Sequence, residues 1–595
     1  MRIATSSRFP AIACALTLPL CALAIRPVVE MGVMDDWSYI RTVQTLAHTG
    51  HIVYNGWSAS ILGWQLYLGA LFARLFGFSF TVIRLSTLLV AMLTAYLTQR
   101  TLVRAGIREW NAMIGTLALV LSPVFLSVTF SFMTDISGLF CIVLCLYACL
   151  RALQAETDRA ALAWICFAAL SNAFGGTVRQ IAWLGVLVMV PSTLWLLRHR
   201  PRFLFAGSVL YVLCLGIIFA FLHWFHKQPY SVPEPLVRDR LTPRSFLMLG
   251  RTLIQAVLEA ALLLLPILIF FIPSFPRRNR PAKIVLTGAI AICVLFGVVM
   301  LNRPRMSLAL APFLHNCITI YGFMDAKPFH GERPMVLTPG IRLLLTTLVV
   351  VSAISFFAFL FTGRDKPNIA SDATRPTPLS WYSLGMVMVP FTLAYFALLL
   401  PRGATNELFD RYLLPILTFA MIAILRIYQE QIQPRVPTAT LIPIAIFAAF
   451  GIAGTHDSFA LLRARVAIAN ELLSSGVPPT AFDGGFEYNS LTQIDLGHFI
   501  NDPKIPILPG DSFHSSVKKS YGVCVPIFVD NYPVLSPRYG MAYDPTDCFG
   551  DAGFAPVTYR AWLGPHTNTI YIVNVGHQHV TTLGNPAVPR DVQPN

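Results

Sequence analysis

Two adjacent carboxylates, Asp35 and Asp36, follow the first apolar segment of the chain, and a third, Asp135, stands between two later apolar segments. Ionisable side chains at membrane depth are costly, so an acid at the end of a span is a candidate for function. One such carboxylate could accept a proton as a general base, while its neighbours orient the reacting group or bind a cation. The local sequence also allows each acid simply to cap a helix.

Arginines among apolar residues provide the complementary chemistry. Arg84 and Arg179 do not fit the bias of basic residues toward the inner membrane face, and Arg411 belongs to the sequence Phe409-Asp410-Arg411-Tyr412-Leu413-Leu414-Pro415. A guanidinium binds phosphate through two parallel hydrogen bonds, so these arginines could hold the phosphate of a lipid. The alternatives are an Asp410–Arg411 structural pair and snorkelling to lipid headgroups.

The composition indicates a membrane protein. Of the 595 residues, 55% are hydrophobic and only 12% are charged, whereas a soluble domain carries about 25% charged residues. The net charge of +15 could suggest a nucleic-acid partner, but the Lys and Arg residues lie in short clusters between apolar runs. Positive-inside bias explains that pattern better, so membrane lipids and no nucleic acid are the expected partners.

Apolar runs of membrane length predict the topology. We expect 13 transmembrane helices, with the acid pair and the carboxyl-terminal tail outside. They lie at Phe9–Ile25, Phe80–Leu102, Ala112–Phe130, Ile136–Leu150, Ala161–Ala173, Ala182–Leu197, Phe203–Phe225, Phe246–Ile272, Val285–Leu301, Leu343–Phe361, Leu384–Leu400, Leu413–Ile427 and Leu441–Ala453. The run from Ile61 to Phe78 is interrupted by Gly63, Gln65 and Arg74, so we expect it to lie along the membrane surface or dip into it.

The basic clusters support this count. With these spans, four clusters fall on the inner side, as the positive-inside rule requires. They are Arg100, Arg104 and Arg108; Arg198, Arg200 and Arg202; Arg277, Arg278 and Arg280; and Arg364 and Lys366.

The composition changes near residue 456, where Gly, Pro, Asp, Asn and Tyr increase and no membrane-length run remains. The predicted fold is therefore an all-α polytopic membrane domain over residues 1–455, followed by a soluble extracytoplasmic α+β domain over residues 456–595. Ser458–Ser475 is helical in pattern, and Val557–Tyr559 and Thr569–Val575 read as strands. Cys524 and Cys548 could form a disulfide if this domain lies in an oxidising compartment.

These motifs resemble the GT-C superfamily of membrane glycosyltransferases, in the family 39-like branch of protein O-mannosyltransferases and lipid A aminoarabinose transferases. That branch has one span, then an outer Asp-Glu with a Tyr three positions later. Asp35-Asp36-Trp37-Ser38-Tyr39 matches, with Asp36 in place of the Glu. The motifs that continue the resemblance are Phe76-Gly77-Phe78-Ser79, Arg84-Leu85, Asp135, Arg179-Gln180 and Asp410-Arg411-Tyr412-Leu413-Leu414-Pro415. Where relatives often carry a Pro-Pro pair, this chain has Asn55-Gly56-Trp57-Ser58.

The resemblance implies an inverting sugar transfer from a polyprenyl-phosphate donor to a lipid, glycan or protein acceptor at the outer face of a bacterial inner membrane. It implies Asp35 as general base, with Asp36 and Asp135 orienting the acceptor. The residues it implies for substrate or phosphate binding are Tyr39, Arg84, Arg179, Gln180, Asp410, Arg411 and Tyr412. Paired acids could bind a divalent cation, whereas a general base needs none, so metal dependence stays open. A transporter or flippase of lipid-linked sugars is the alternative.

Overall fold

The fold is described from a computed structural model of the chain. It describes residues 8–233, 242–274, 280–301, 310–323, 329–331, 333–361, 379–405, 407–502, 505 and 524–575. Among the predicted inner-face bases, Arg277, Arg278, Arg364 and Lys366 lie outside these residues, as does part of the predicted outer segment 302–340.

Eighteen α-helices lie within the described residues. They are α1 Phe9–Ile25, α2 Asp36–Thr49, α3 Gly63–Phe76, α4 Phe80–Arg104, α5 Glu109–Val120, α6 Pro123–Thr129, α7 Thr134–Leu153, α8 Asp158–Gly175, α9 Val190–Leu196, α10 Pro201–His226, α11 Pro243–Leu263, α12 Leu265–Leu268, α13 Arg280–Leu301, α14 Pro339–Phe361, α15 Trp381–Ala404, α16 Leu414–Gln431, α17 Leu441–Ser474 and α18 Phe486–Gly497.

Helices form at the predicted spans, although fewer of them are clear membrane crossings. Within the described ranges, eight are long and apolar enough to cross a membrane, or nine if the bent pair α5 and α6 forms one span. That pair bends by 65°, because Pro123 cannot continue α5 and the Ser122 hydroxyl caps α6. The predicted span Ala182–Leu197 is built from three short helical pieces. The count of 13 stays a prediction.

The candidate site residues lie at one end of the membrane helices, and other polar contacts lie at the opposite end. α4, α7 and α16 begin close to Arg84, Asp135 and Arg411, respectively. At their other ends, Arg426 Nη1 donates to the carbonyl oxygen of Ala105 over 3.2 Å and Gln154 Nε2 donates to that of Arg104 over 2.9 Å. The acids and arginines singled out above therefore gather at one end of the helical bundle.

α3 lies in the apolar run Ile61–Phe78, which the sequence predicts to lie along the membrane surface or to dip into it. Its 14 residues span about 21 Å at 1.5 Å per residue, which is shorter than the ~30 Å hydrocarbon layer. Tyr67, Leu71 and Leu75 are exposed on one face, whereas Gln65 is buried and donates to the Phe132 carbonyl oxygen over 2.9 Å. A short helix with one apolar exposed face fits the prediction that this run does not cross the membrane.

α17 joins the membrane part of the chain to the carboxyl-terminal part. The sequence suggests a span to Ala453 and a separate helix from Ser458, but the structure has one continuous helix of 34 residues. Nothing in the intervening sequence breaks it, since no Pro or Gly lies between Gly454 and Ser474. The predicted domain boundary at residues 455–456 thus falls inside a helix.

A four-stranded sheet packs on the far end of α17. Its strands are β3 Phe482–Asp483, β4 Tyr539–Ala542, β5 Val557–Arg560 and β6 Thr567–Asn574, in the order β3-β4-β6-β5, and only the β3–β4 pair is parallel. Ile468 and Leu472 of α17 pack with Met541, Ile570 and Ile572 of the sheet. A small hairpin, β1 Ile318–Thr319 and β2 Gly322–Phe323, lies outside this sheet. The two predicted strands coincide with β5 and β6.

Candidate active site

Asp36 is completely buried and fully hydrogen-bonded. Its carboxylate forms an ion pair with Arg84, at 2.8 Å from Nε to Oδ2, and also accepts the backbone N–H groups of Val33 and Phe132 over 2.7 and 3.1 Å. Arg84 is equally committed, because it also donates to the carbonyl oxygens of Val29 and Met31. Asp36 and Arg84 therefore connect α2, α4 and the segment that precedes α7.

Asp35, one residue earlier, has a different environment. Its side chain is 26% exposed, and its Oδ1 accepts a hydrogen bond from the indole Nε1 of Trp57 over 3.0 Å. The preceding residue, Met34, has a φ of 58°, a left-handed conformation that a non-glycine residue rarely adopts. Burial raises the pKa of the Asp35 carboxyl, while the charge of Arg411 and the Trp57 hydrogen bond partly lower it.

Asp135 and Arg179 form the second ion pair of the site. Asp135 Oδ1 lies 2.6 Å from Arg179 Nη1, and the same guanidinium nitrogen donates to the Thr134 hydroxyl over 3.2 Å. The Asp135 side chain is 2% exposed, and its Oδ2 has no hydrogen-bond partner among the described residues. Asp135 lies in the first turn of α7, so its carboxylate is also at the favourable end of the helix dipole.

Arg411 lies between the two carboxylates. Its guanidinium is 3.8 Å from Asp35 Oδ2 through Nη2 and 3.8 Å from Asp135 Oδ2 through Nε. Both distances exceed that of a hydrogen bond, and Nε is buried without a hydrogen-bond partner among the described residues. A guanidinium held slightly too far from two acids keeps donors available for an anion that enters the site.

Asp410 does not pair with its neighbour. Its Oδ2 accepts the backbone N–H groups of Cys317 and Ile318 over 2.8 and 2.7 Å, and its Oδ1 accepts the N–H of Arg411 over 2.7 Å. The alternative of an Asp410–Arg411 side-chain pair is therefore wrong. Asp410 holds the turn that carries Arg411, which leaves that guanidinium free to face the other acids.

Three tyrosines complete the site. The ring of Tyr412 lies under Arg179, with 4.8 Å from the guanidinium carbon to the ring centroid, and its carbonyl oxygen accepts the Tyr395 hydroxyl over 2.6 Å. Tyr39 is 8% exposed, and burial followed by the Asp35 charge raises the pKa of its hydroxyl. The Tyr39 hydroxyl therefore remains a hydrogen-bond donor at neutral pH.

Gln180 supports the site from one side. Its amide donates to the Ala59 carbonyl oxygen over 3.1 Å and contacts the Ser60 hydroxyl at 3.4 Å. These bonds tie the segment after α8 to the loop that carries Trp57. The structure thus brings all ten predicted residues to one end of the bundle, although Asp36, Arg84, Gln180 and Asp410 make structural contacts there.

An aromatic cluster extends from Asp35 to the carboxyl-terminal part of the chain. Trp57 packs against Trp37 and Phe486, with ring centroids 5.5 and 5.6 Å apart, and Phe528 joins it at 6.2 Å. Arg465 of α17 fixes the loop of Phe486 by bonding to the Gly484 carbonyl oxygen and to Glu487, both at 2.8 Å. The carboxyl-terminal part therefore lies directly beside the acid cluster.

The two cysteines for which the sequence left a disulfide open are bonded to each other. Cys524 and Cys548 form a disulfide with their Cα atoms 5.6 Å apart. Together with His330 they are the one group of three metal-ligating residue types found close together in the described part of the chain. Because the two thiols are bonded to each other, they do not provide thiolate ligands, and this group carries no metal-site assignment.

Comparisons with known proteins show which protein family the sequence is similar to. Residues 64–226 match the model of a family described as dolichyl-phosphate-mannose-protein mannosyltransferase. The resemblance to GT-C membrane glycosyltransferases is confirmed. The predicted enzyme class, a glycosyltransferase, agrees with the description of this family. The match contains Arg84, Asp135, Arg179 and Gln180, whereas Asp35 lies before it. No curated protein sequence matches the chain.

Several solved GT-C structures are similar at low identity. ArnT from Cupriavidus metallidurans bound to undecaprenyl phosphate is 14% identical, with 97% of this chain and 98% of that chain covered and a TM-score of 0.36. The Archaeoglobus fulgidus oligosaccharyltransferase is 13% identical over 80% and 60% of the two chains, with a TM-score of 0.38. The Saccharomyces cerevisiae Pmt1-Pmt2 complex bound to its sugar donor is 16% identical over 41% and 36%, with a TM-score of 0.30.

Several residues of the site had not been predicted from the sequence. Trp57 donates to Asp35, Tyr395 supports Tyr412, and Met34 Sδ lies 3.9 Å from Arg411 Nη1. Trp57 belongs to the segment Asn55-Gly56-Trp57-Ser58, where the sequence departs from the family pattern described above, and that departure was the available signal. Tyr395 lies inside an ordinary apolar span, and nothing in its sequence context distinguishes it.

Proposed function

We propose that this chain is an inverting glycosyltransferase that moves a sugar from a polyprenyl-phosphate donor to an acceptor hydroxyl at the outer membrane face. The observation that carries the proposal is that Asp35 is the one partly exposed carboxylate of the acid cluster formed by Asp35, Asp36 and Asp135. The Asp36 carboxylate is fully occupied by an ion pair with Arg84 and by hydrogen bonds from two backbone N–H groups. Asp135 is buried against Arg179. Asp35 alone among the three combines partial exposure with an adjacent, incompletely bonded arginine.

The reaction follows from these roles. Asp35 removes the proton of the acceptor hydroxyl while the acceptor oxygen attacks the anomeric carbon of the sugar from the face opposite the phosphate. The bond between the anomeric carbon and the phosphate oxygen breaks, and its electron pair leaves with the polyprenyl phosphate. Arg411 and Arg179 stabilise the developing phosphate charge, and Tyr39 donates a hydrogen bond to the donor. Attack opposite the leaving group inverts the anomeric configuration.

Two observations support the outer face of a bacterial inner membrane, with the carboxyl-terminal domain extracytoplasmic. Disulfides persist in oxidising compartments, and Cys524–Cys548 lies on the same side as the acid cluster. The basic residues Arg104, Arg151 and Arg426 lie at the opposite ends of their helices, as expected for an inner face. A lipid-linked donor and a lipid, glycan or protein acceptor could both reach a site at this level.

The acid cluster does not fit a divalent cation. Such an ion needs several free oxygen ligands, but both Asp36 oxygens are engaged and Asp135 Oδ1 is bound to Arg179. Asp35 Oδ1 accepts the Trp57 indole N–H, and the guanidinium of Arg411 lies between Asp35 Oδ2 and Asp135 Oδ2. We therefore propose a transfer that uses the guanidinium groups, rather than a resident metal, as the positive charges of the site.

A transfer assay tests the proposal. Purified full-length protein is incubated with a polyprenyl-phosphate sugar that is radiolabelled in the sugar, together with lipid, glycan and protein acceptors. We expect label in an acceptor, an inverted anomeric linkage and an equal amount of released polyprenyl phosphate. Movement of the intact donor between the leaflets of proteoliposomes, with no labelled product from any acceptor, would identify a flippase and refute the proposal.

Replacing Arg411 by Lys is expected to raise the KM for the lipid-linked donor about tenfold. The ammonium group keeps the charge but loses the forked pair of donors, and one charged hydrogen bond contributes about 1.5–3 kcal/mol. Donor titrations of purified variants measure the effect. Arg202→Lys is the matched control, because Arg202 is exposed on α10. An Arg411→Lys variant with an unchanged KM for the donor would remove Arg411 from the phosphate site.

Replacing Trp57 by Phe is expected to move the acidic limb of the pH–rate profile to higher pH. The indole hydrogen bond lowers the pKa of Asp35, so its loss raises that pKa and leaves more of the base protonated at a given pH. The kcat/KM profile over the acidic range measures the shift.

Trp37→Phe is the matched control for this shift. Trp37 belongs to the same aromatic cluster, but its indole N–H has no hydrogen-bond partner among the described residues. The control is expected to keep the acidic limb where it is in the wild type. Equal shifts in both variants would show that packing of the aromatic cluster, and not the Trp57 hydrogen bond, determines the pKa seen in the acidic limb.

A further inference from the structure

A second charged cavity lies away from the acid cluster. It has a volume of about 590 Å³ and forms where the end of α1, the middle of α17 and strand β5 meet. That volume is within the range of small-molecule sites, roughly 300–1,000 Å³. None of the ten predicted site residues lines it, so the cavity has to be explained on its own.

Apart from the Tyr559 hydroxyl, the ionisable groups that line this cavity are all basic. They are Arg26, Arg463, Arg560 and His456, and no carboxylate in the described part of the chain lines the space. Arg463 Nη1 donates to the Arg26 carbonyl oxygen over 2.9 Å, whereas neither Arg26 nor Arg560 forms an ion pair with any described residue. Like charges that converge on one space repel each other, and an anion bound among them would relieve that repulsion.

The acid next to His456 in the sequence already has its own hydrogen-bond partners. Asp457 is adjacent to His456 and contacts the imidazole Nδ1 at 2.9 Å through Oδ1. The same carboxylate accepts the backbone N–H groups of Trp562 and Leu563 over 2.7 and 2.8 Å. Asp457 therefore fixes one wall of the cavity and leaves the three guanidinium groups without a neutralising partner there.

The remaining lining combines Thr558 and Tyr559 with apolar side chains, some of which are exposed at the surface. Leu23, on the last turn of α1, is 75% exposed, and the alanines of α17 form the opposite wall. Trp562 is 50% exposed and stacks on His456 with 4.1 Å between ring centroids. Tryptophan is enriched at the level of lipid headgroups, and α1 ends at this level. The cavity is therefore basic at its centre and open to hydrocarbon at its edge.

We propose that this cavity binds the phosphate headgroup of an anionic membrane lipid, with the acyl chains lying along α1. Arginines that merely snorkel would point independently to the membrane surface, whereas these three come from three separate elements and line one shared cavity. Guanidinium groups match the geometry of a phosphate with two free oxygens. A lipid held here would connect α1, α17 and β5, and thus the membrane part to the carboxyl-terminal sheet.

Lipid binding to the full-length protein in neutral detergent tests this proposal. The probe is radiolabelled dioleoyl phosphatidic acid, compared with dioleoyl phosphatidylcholine, whose headgroup has no net charge. We expect at least about tenfold tighter binding of phosphatidic acid, and about tenfold weaker binding after Arg560→Gln, because one charged hydrogen bond contributes about 1.5–3 kcal/mol. Arg560 is exposed on β5, so its replacement is not expected to unfold the chain.

Arg202→Gln, an exposed arginine on α10, is the matched control and should bind like the wild type. Arg26→Gln provides a second test and should weaken binding as Arg560→Gln does. Equal affinity for the two lipids, or unchanged binding in both cavity variants, would refute the proposal. Competition by inorganic phosphate as strong as that by phosphatidic acid would also refute it, since the acyl chains would then contribute nothing. Asp35→Asn should keep lipid binding, which separates this site from the proposed transfer.

Discussion

Replacing Asp35 by Asn lowers the rate of sugar transfer by about 10²–10⁴-fold while the protein stays folded, as expected when a general base is removed. Asparagine has nearly the same shape, can still accept the Trp57 hydrogen bond and is a good residue at the start of a helix. Because the side chain is partly exposed, we expect its stability cost to be below about 0.5 kcal/mol. The measurement is the initial rate with a labelled polyprenyl-phosphate sugar, alongside a melting curve.

The control for this variant is Asp158→Asn, which changes an exposed acid at the start of α8. It should transfer sugar at the wild-type rate. If the Asp35→Asn protein retained more than a tenth of the wild-type rate, Asp35 would not be the base. A melting temperature well below that of the wild type would instead show that Asp35 supports the fold.

Replacing Asp36 by Asn has its main effect on stability, with an expected cost of about 3–5 kcal/mol. The change leaves the Arg84 guanidinium buried beside a neutral amide, and a buried charge without its partner is strongly destabilising. The carboxylate also accepts hydrogen bonds from two backbone N–H groups. With Asn at this position the acceptor is neutral, so these two hydrogen bonds become weaker. Chemical unfolding in detergent micelles measures the cost.

The double variant Asp36→Asn, Arg84→Met separates the buried charge from the lost hydrogen bonds. Removing both charges should recover part of the stability that the single change loses, because no uncompensated charge remains buried. If Asp36→Asn melted like the wild type and were as inactive as Asp35→Asn, Asp36 would act in the reaction and the assignment of the two acids would have to be exchanged.

The difference between these two acids shows where sequence reasoning stops. Asp35 and Asp36 have identical side chains and adjacent positions, so no local pattern separates them. Their environments come from Arg84, Phe132 and Trp57, which are 48, 96 and 22 residues away along the chain. Only the packing of α2, α4 and the start of α7 decides which carboxylate is bonded on all sides and which remains available.

The helical framework was more predictable. Spans follow from local hydropathy, which depends on neighbouring residues alone, and the helices lie at the predicted runs. The bend between α5 and α6 has a local cause, Pro123, although the sequence was interpreted there as one straight span. The alternative of an Asp410–Arg411 side-chain pair could not be excluded from the sequence, because the backbone N–H groups that bind the Asp410 carboxylate are 92 and 93 residues away.

The length of α17 has a mechanical consequence for the site. At 1.5 Å per residue its 34 residues measure about 51 Å, so about 20 Å extend beyond the ~30 Å hydrocarbon layer. Through Arg465, this extension fixes the loop that holds Phe486 against Trp57, the hydrogen-bond donor to Asp35. α17 therefore links the membrane part of the chain, through Arg465, Phe486 and Trp57, to the hydrogen bond that Asp35 accepts, so that a tilt of this one helix would be transmitted to the proposed base.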